Sequence, residues 1–295
     1  MQNMQYLQMY HQTMGTGHPG CFIILIDQSG SMLDSFGQGQ MGAGLRKCDQ
    51  VATVVNRVLA ELVARSTKNN AVNDRVHLAV LGYRNNAVYD AIPALPGLVS
   101  IQQLAANPTR VEQRTRREYD SETGQMIEIP TPFQVWIDPI GEGGTPMTTA
   151  LNRAYDLAWQ WASMYQQCYP PIILNISDGM ATDGDPRPAA QRLCSITTQD
   201  GAALLFNCHI TETNQPEVRF PADPAELAGV ATQNQFALPL FEASSMIPDT
   251  MRTNALNNLG MNLAPYARGF IFNGDMDSVI QMLTFVTVAS NMNNR

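Results

Sequence analysis

The sequence predicts an α/β fold: a doubly wound, mostly parallel central sheet flanked by helices on both faces. Three observations predict it. Short apolar runs rich in β-branched residues end in turn residues, as strands covered on both faces do. Between them lie longer segments whose apolar residues recur at three- and four-residue steps, the helical period. The chain is also long and apolar enough for one large core, with 295 residues of which 44% are hydrophobic and 15% charged.

Cys21-Phe22-Ile23-Ile24-Leu25-Ile26 is the first apolar run and reads as a buried strand. Val51, Val54, Val55, Val58, Leu59 and Leu62 then place a helix over 47–63. The alternation continues with a strand over 76–83, a helix over 147–165 and a strand over 171–176. Strands over 203–208 and 269–272 follow, with helices over 188–194, 224–230 and 275–289. This order predicts helices on both faces of the sheet. The stretch 110–136 departs from the pattern, because alternating charged segments flank a Ser-Glu-Thr-Gly turn, and it predicts an inserted hairpin near 106–137. Its arginines Arg110, Arg114, Arg116 and Arg117 are interleaved with Glu112, Glu118 and Asp120, the pattern of a solvated mixed surface. The expected organisation is a flexible tail at 1–18, one domain at 19–290 and a short tail at 291–295.

With 18 basic against 26 acidic residues and a net charge of -8, the chain lacks the cationic excess that nucleic-acid or anionic-membrane binding requires. The cysteines Cys21, Cys48, Cys168, Cys194 and Cys208 show no Cys-x-x-Cys pair and no zinc spacing, so they read as reduced, mostly buried thiols. The first twenty residues have no basic and apolar signal pattern, and no segment carries an apolar run of membrane-spanning length. A cytoplasmic location is therefore expected.

Polar residues gather where the predicted strands end. Asp27-Gln28-Ser29-Gly30-Ser31 follows the first strand, Gly143-Gly144-Thr145-Pro146-Met147 precedes a helix, and Ser177-Asp178-Gly179 follows the strand over 171–176. In an open parallel sheet, loops beyond the carboxyl ends of strands converge on one crevice. Asp27, Asp178, Ser29, Ser31 and Thr145 are an all-oxygen set suited to a hard divalent cation such as Mg²⁺ or Mn²⁺. Taken alone, Asp-x-Ser-x-Ser also suits a helix N-cap or an Asx-turn.

These segments together resemble the metal-ion-dependent adhesion site of von Willebrand factor type A domains, over about residues 20 to 290. The resemblance implies that Asp27, Ser29, Ser31, Thr145 and Asp178 hold Mg²⁺ or Mn²⁺, some of them through water, and that a protein partner's Asp or Glu takes the open position. Gly143-Gly144-Thr145-Pro146-Met147 and Leu240-Phe241-Glu242-Ala243-Ser244-Ser245 resemble a bacterial intracellular, tellurite-resistance-like branch. That branch implies a non-enzymatic scaffold or subunit in a signalling or stress-response assembly, with a kinase, phosphatase or AAA ATPase as partner. Two alternatives stand beside it, an accessory of a chelatase-like AAA-type ATPase and a metal-dependent hydrolase.

Gly37-Gln38-Gly39-Gln40-Met41-Gly42 matches the dinucleotide fingerprint in letters only. It lies about ten residues beyond the strand rather than at a strand-to-helix turn, and reads as a rim loop. His77 and His209 fall on predicted strands and read as hydrogen-bonded interior or edge residues. Asp183 and Asp185 read as turn and N-cap residues ahead of the helix over 188–194.

Overall fold

Every residue of the first strand, β1 (Gly20–Asp27), is buried. Its alternation divides the core in two, with Phe22, Ile24 and Ile26 in one hydrophobic cluster and Cys21, Ile23 and Leu25 in the other. The computed structural model describes residues 9–35, 45–120, 124–210, 216–231 and 237–289. The glycine-rich loop at 37–42 and the tail at 291–295 lie outside the described residues.

The further strands of the main sheet and of the 110–135 hairpin are β2 (Val76–Arg84), β3 (Ala87–Asp90), β4 (Val99–Ser100), β5 (Arg110–Asp120), β6 (Gln125–Val135), β7 (Ile172–Ser177), β8 (Leu204–Ile210), β9 (Val218–Arg219) and β10 (Phe270–Gly274). Two short two-stranded ribbons pair Thr67–Lys68 with Ala71–Val72 and Thr197–Thr198 with Gly201–Ala202. The main sheet has the order β9-β10-β8-β7-β1-β2-β3, and β4 also pairs with β2. Its five central strands, β10, β8, β7, β1 and β2, are parallel. The antiparallel pairings of β9, β3 and β4 are confined to the margins. β2 turns into β3 through Asn85 and Asn86, both at positive φ, a backbone region that asparagine tolerates better than most residues.

The helices are α1 (Lys47–Ser66), α2 (Ile101–Ala106), α3 (Met147–Met164), α4 (Arg187–Cys194), α5 (Ala237–Ala243), α6 (Asp249–Leu259) and α7 (Met276–Ala289). On one face of the sheet, Val51, Val55 and Leu59 of α1 and Val279, Met282 and Val286 of α7 pack against Ile24 and its neighbours, with Met251 of α6 beside them. On the other, Leu151, Leu157 and Trp161 of α3, Leu193 of α4 and Phe241 of α5 cover Ile23 and Leu25. The chain is thus the doubly wound α/β sheet that the alternation predicts, with both faces covered.

The segment expected as one helix over 224–230 is instead a 3-10 turn, Pro224–Leu227, followed by the short helix Ala228–Ala231. Asp223 caps the turn by accepting from the Ala225 amide. The excursion at 110–136 is a hairpin whose strands β5 and β6 pair with each other in a separate two-stranded sheet. Of the tail expected at 1–18, residues 1–8 lie outside the described residues. From Tyr10 onward the chain is packed: the His11 and Gln12 amides donate to the Asp200 carboxylate at 2.9 and 3.0 Å, and Met14 is fully buried.

Candidate metal centre

The winding direction reverses at β1. From β1 the chain crosses through α1 to β2 on one side, and later through α3 to β7 on the other, so the crevice between the carboxyl ends of β1 and β7 is a topological switch point. β1 ends on Asp27, and β7 ends on Ser177 with Asp178 next. The strand register therefore brings residues 150 positions apart to one edge, and the Ser177 hydroxyl donates to Asp27 Oδ2 at 2.7 Å.

The loop beyond β1 is folded by its own aspartate. Asp27 Oδ1 accepts the Ser29 amide at 2.8 Å, an Asx-type contact that turns the chain into the 3-10 turn Gly30–Leu33. The local-turn reading of Asp-x-Ser-x-Ser is thus present, and the turn brings Ser29 beside Ser31, which reaches the second aspartate. Ser29 Oγ lies 3.1 Å from Ser31 Oγ, and the Ser31 hydroxyl donates to Asp178 Oδ1 at 2.8 Å.

Thr145 arrives from the third segment. The Gly30 amide donates to the Gly143 carbonyl at 2.9 Å, tying this loop to the serine loop. Gly143 has φ +64, and a Cβ there would collide with the Asn85 side chain, so the site needs a glycine at this position. The Thr145 amide donates to Thr182 Oγ1 and the Thr182 amide to the Thr145 carbonyl, both at 2.9 Å. Thr145 Oγ1 faces the backbone at Gly179, 3.9 Å from where a side chain on that residue would begin. All five predicted residues accordingly stand on one edge.

Burial and charge make this edge costly for Asp27, while Asp178 is paired with the Lys47 ammonium at 2.8 Å. Asp27 is fully buried and the Asp178 side chain has no exposed surface. Burial first, and then the charge of Asp178, push the Asp27 carboxyl up to about 6, against hydrogen bonds from Ser29 and Ser177 that favour its ionised form. Two buried carboxylates beside three hydroxyls fit a hard dication by charge and by donor type. Asp27, Ser29, Ser31, Thr145 and Asp178 are the residues that would hold it. When bound, the ion supplies positive charge and an acceptor position for an incoming oxygen ligand. Among the described residues, no group of three or more His, Cys, Asp or Glu forms a separate metal cluster.

Three further contributors stand outside the five predicted residues. Ser177 orients Asp27, and Thr182 anchors Thr145. Lys47, the first residue of α1, places Nζ 2.8 Å from Asp178 Oδ2 and 3.4 Å from the Ser31 carbonyl. Asp185 caps α4 by accepting the Arg187 amide at 3.0 Å, whereas Asp183 serves a different helix and accepts the Thr148 and Thr149 amides at the start of α3, at 3.0 and 2.8 Å. His77 accepts from Trp161 Nε1 at 2.9 Å, and buried His209 stacks on Phe272 with ring centroids 4.5 Å apart.

The fold and this edge define an open α/β domain with a carboxylate and hydroxyl cluster at its switch point. No protein-family model matches the sequence, and no curated protein matches it. Among solved structures, the chain is similar to the vWF domain of the type V pili tip protein Mfa5 from Porphyromonas gingivalis, at 13% identity and a TM-score of 0.32, over 56% of this chain and 39% of that one. It is also similar to the PilB minor pilin from Streptococcus sanguinis, at 10% identity and a TM-score of 0.46, over 94% of this chain and 63% of that one. Human COPII-coat protein Sec24c is similar at 10% identity and a TM-score of 0.31, over 75% of this chain and 28% of that one. The chain thus spans less than two thirds of each, and all three are distant in sequence. Among the described residues, no helix is long and apolar enough to cross a membrane.

Proposed function

We propose that the chain is a von Willebrand A-like, non-enzymatic protein-binding module that holds Mg²⁺ or Mn²⁺ on Asp27, Ser29, Ser31, Thr145 and Asp178 and engages a partner's Asp or Glu through the ion. The observation that carries this reading is the Ser29–Ser31–Asp178 oxygen cluster, 3.1 and 2.8 Å between neighbours, which joins two segments 147 residues apart at the switch point. Such a cluster leaves outer coordination positions for an exogenous carboxylate, which binds with high specificity through little buried area.

The surroundings support a protein ligand. Beside the cluster, Met147, Gly179, Met180, Ala181, Pro239 and Leu240 line a mostly apolar cavity of about 360 Å³, and Met180 is 53% exposed. An apolar side chain next to the partner's acidic residue would find its place there. The bacterial signalling or stress-response setting, with a kinase, phosphatase or AAA ATPase as the partner in the cytoplasm, belongs to the same proposal and rests on the sequence resemblance alone.

Calorimetric titration of Mg²⁺ and Mn²⁺ into the metal-stripped chain tests the site. Binding is expected for the wild type and its loss in both Asp27→Ala and Asp178→Ala, and folded variants that bind as the wild type does would refute this placement. A partner complex captured from the host is expected to dissociate on chelation; one indifferent to chelator would exclude the metal bridge.

A further inference from the structure

We infer that Lys47 is a tethered cation at the metal centre: its ammonium holds Asp178 when no metal is bound, and a divalent ion must displace it. This inference rests on the proposed metal reading.

The lysine is placed where helix electrostatics disfavours it. Lys47 opens the twenty-residue helix α1, and the amino end of a helix carries partial positive charge that disfavours a cation. Its side chain is nevertheless only 7% exposed and pairs at 2.8 Å with an Asp178 side chain that has no exposed surface. A buried ammonium persists only when paired and hydrogen-bonded, and here the Asp178 carboxylate and the Ser31 carbonyl do both. The same Asp178 is a residue the metal requires, and Ser31 supplies both the hydroxyl in the cluster and the carbonyl facing Lys47. An ammonium and a dication therefore compete for one carboxylate, and repulsion between them disfavours joint occupancy.

Composition sharpens the point. Of 18 basic residues, sixteen are arginine and two are lysine, so the chain uses lysine at this position against its own strong bias. Lysine suits a displaceable role, because its charge is compact and rides on a flexible four-carbon stem, whereas the planar guanidinium of arginine grips a carboxylate with two parallel bonds. The other lysine, Lys68, is exposed in the two-residue strand Thr67–Lys68 and supplies an internal reference.

Acetylation of the wild type by an amine-reactive ester, read by peptide mass spectrometry with and without saturating Mn²⁺, tests the displacement. Lys68 is expected to react in both conditions, while Lys47 is protected without Mn²⁺ and reactive with it. In calorimetry, Lys47→Gln is expected to bind Mn²⁺ about tenfold or more tightly than the wild type. Lys47 remaining protected in a wild-type chain that binds Mn²⁺, or a folded Lys47→Gln chain of unchanged or weaker affinity, would overturn the displacement while leaving the metal site standing. Should the variant not fold, the labelling carries the test alone. No Mn²⁺ binding by either chain would overturn the metal reading and this inference together.

Discussion

At the scale of single residues, two buried groups, Asp27 at the switch point and His209 on β8, pull stability in opposite directions as pH changes. The Asp27 carboxyl stands at about 6 against an ordinary 3.8, so the metal-free folded chain keeps a proton there that the unfolded chain has lost. That contribution is fully present below 3.8 and is lost as pH rises through about 6. Burial pushes the His209 imidazole down to about 4 from 6.5, so its contribution is present above 6.5 and is lost as pH falls toward 4. Across pH 4 to 6 the two oppose each other. Asp27→Asn removes the first and leaves the second, and urea melts of the metal-free variant should lose stability on acidification more steeply than the wild type, by up to about 1.4 kcal/mol per pH unit. Parallel slopes would mean that Asp27 titrates as an ordinary carboxylate.

At the scale of elements, α3 depends on a residue from a distant loop. The segment's own N-cap, Pro146, offers no side-chain acceptor, and Asp183 instead receives the Thr148 and Thr149 amides and the Thr149 hydroxyl. Removing an N-cap acceptor costs about 1 kcal/mol, so Asp183→Ala should lower the denaturant midpoint by that much. It should also weaken the proposed metal binding, because the contact ties the loop after Asp178 to the turn that presents Thr145; unchanged Mn²⁺ affinity in a destabilised variant would separate the two effects. The long helices α1 and α3 were legible because each buries a full stripe, such as Val51, Val55, Val58 and Leu62. α6 was not, since only Met251 and Ala255 of its eleven residues are buried and the apolar period is too faint to stand out. The two-residue strand β4 and the four-residue β3 lack the length for any period to show.

At the scale of the whole molecule, the β5–β6 hairpin is an appendage on the sheet rather than part of it. Its strands pair only with each other among the described residues, and Val111, Tyr119, Met126 and Ile127 remain exposed on it. Its base is anchored by Trp136, which is buried and donates to the Leu104 carbonyl, and by Asn56 of α1, which accepts the Trp136 and Ile137 amides. Replacing 111–134 by a short Gly/Ser loop, with Trp136 and Asn56 retained, should leave the thermal midpoint within about 4 °C of the wild type and the Mn²⁺ affinity unchanged. A large loss of stability would show that the hairpin braces the core.

The sequence by itself determined the doubly wound sheet, the order of its central strands with α1, α3, α4 and α7, and the five oxygen-bearing residues at the carboxyl edge. These are legible because buried strands, amphipathic helices and strand-end loops each leave a local pattern that a linear reading can find. Only the tertiary structure decided which groups support those five. Ser177 behind Asp27, Thr182 against Thr145, Asp183 at the start of α3 and Lys47 on Asp178 meet through contacts spanning 34 to 150 positions. Their role depends on burial and on charge at a few ångströms, quantities that arise when the sheet closes and that no local period in the sequence encodes.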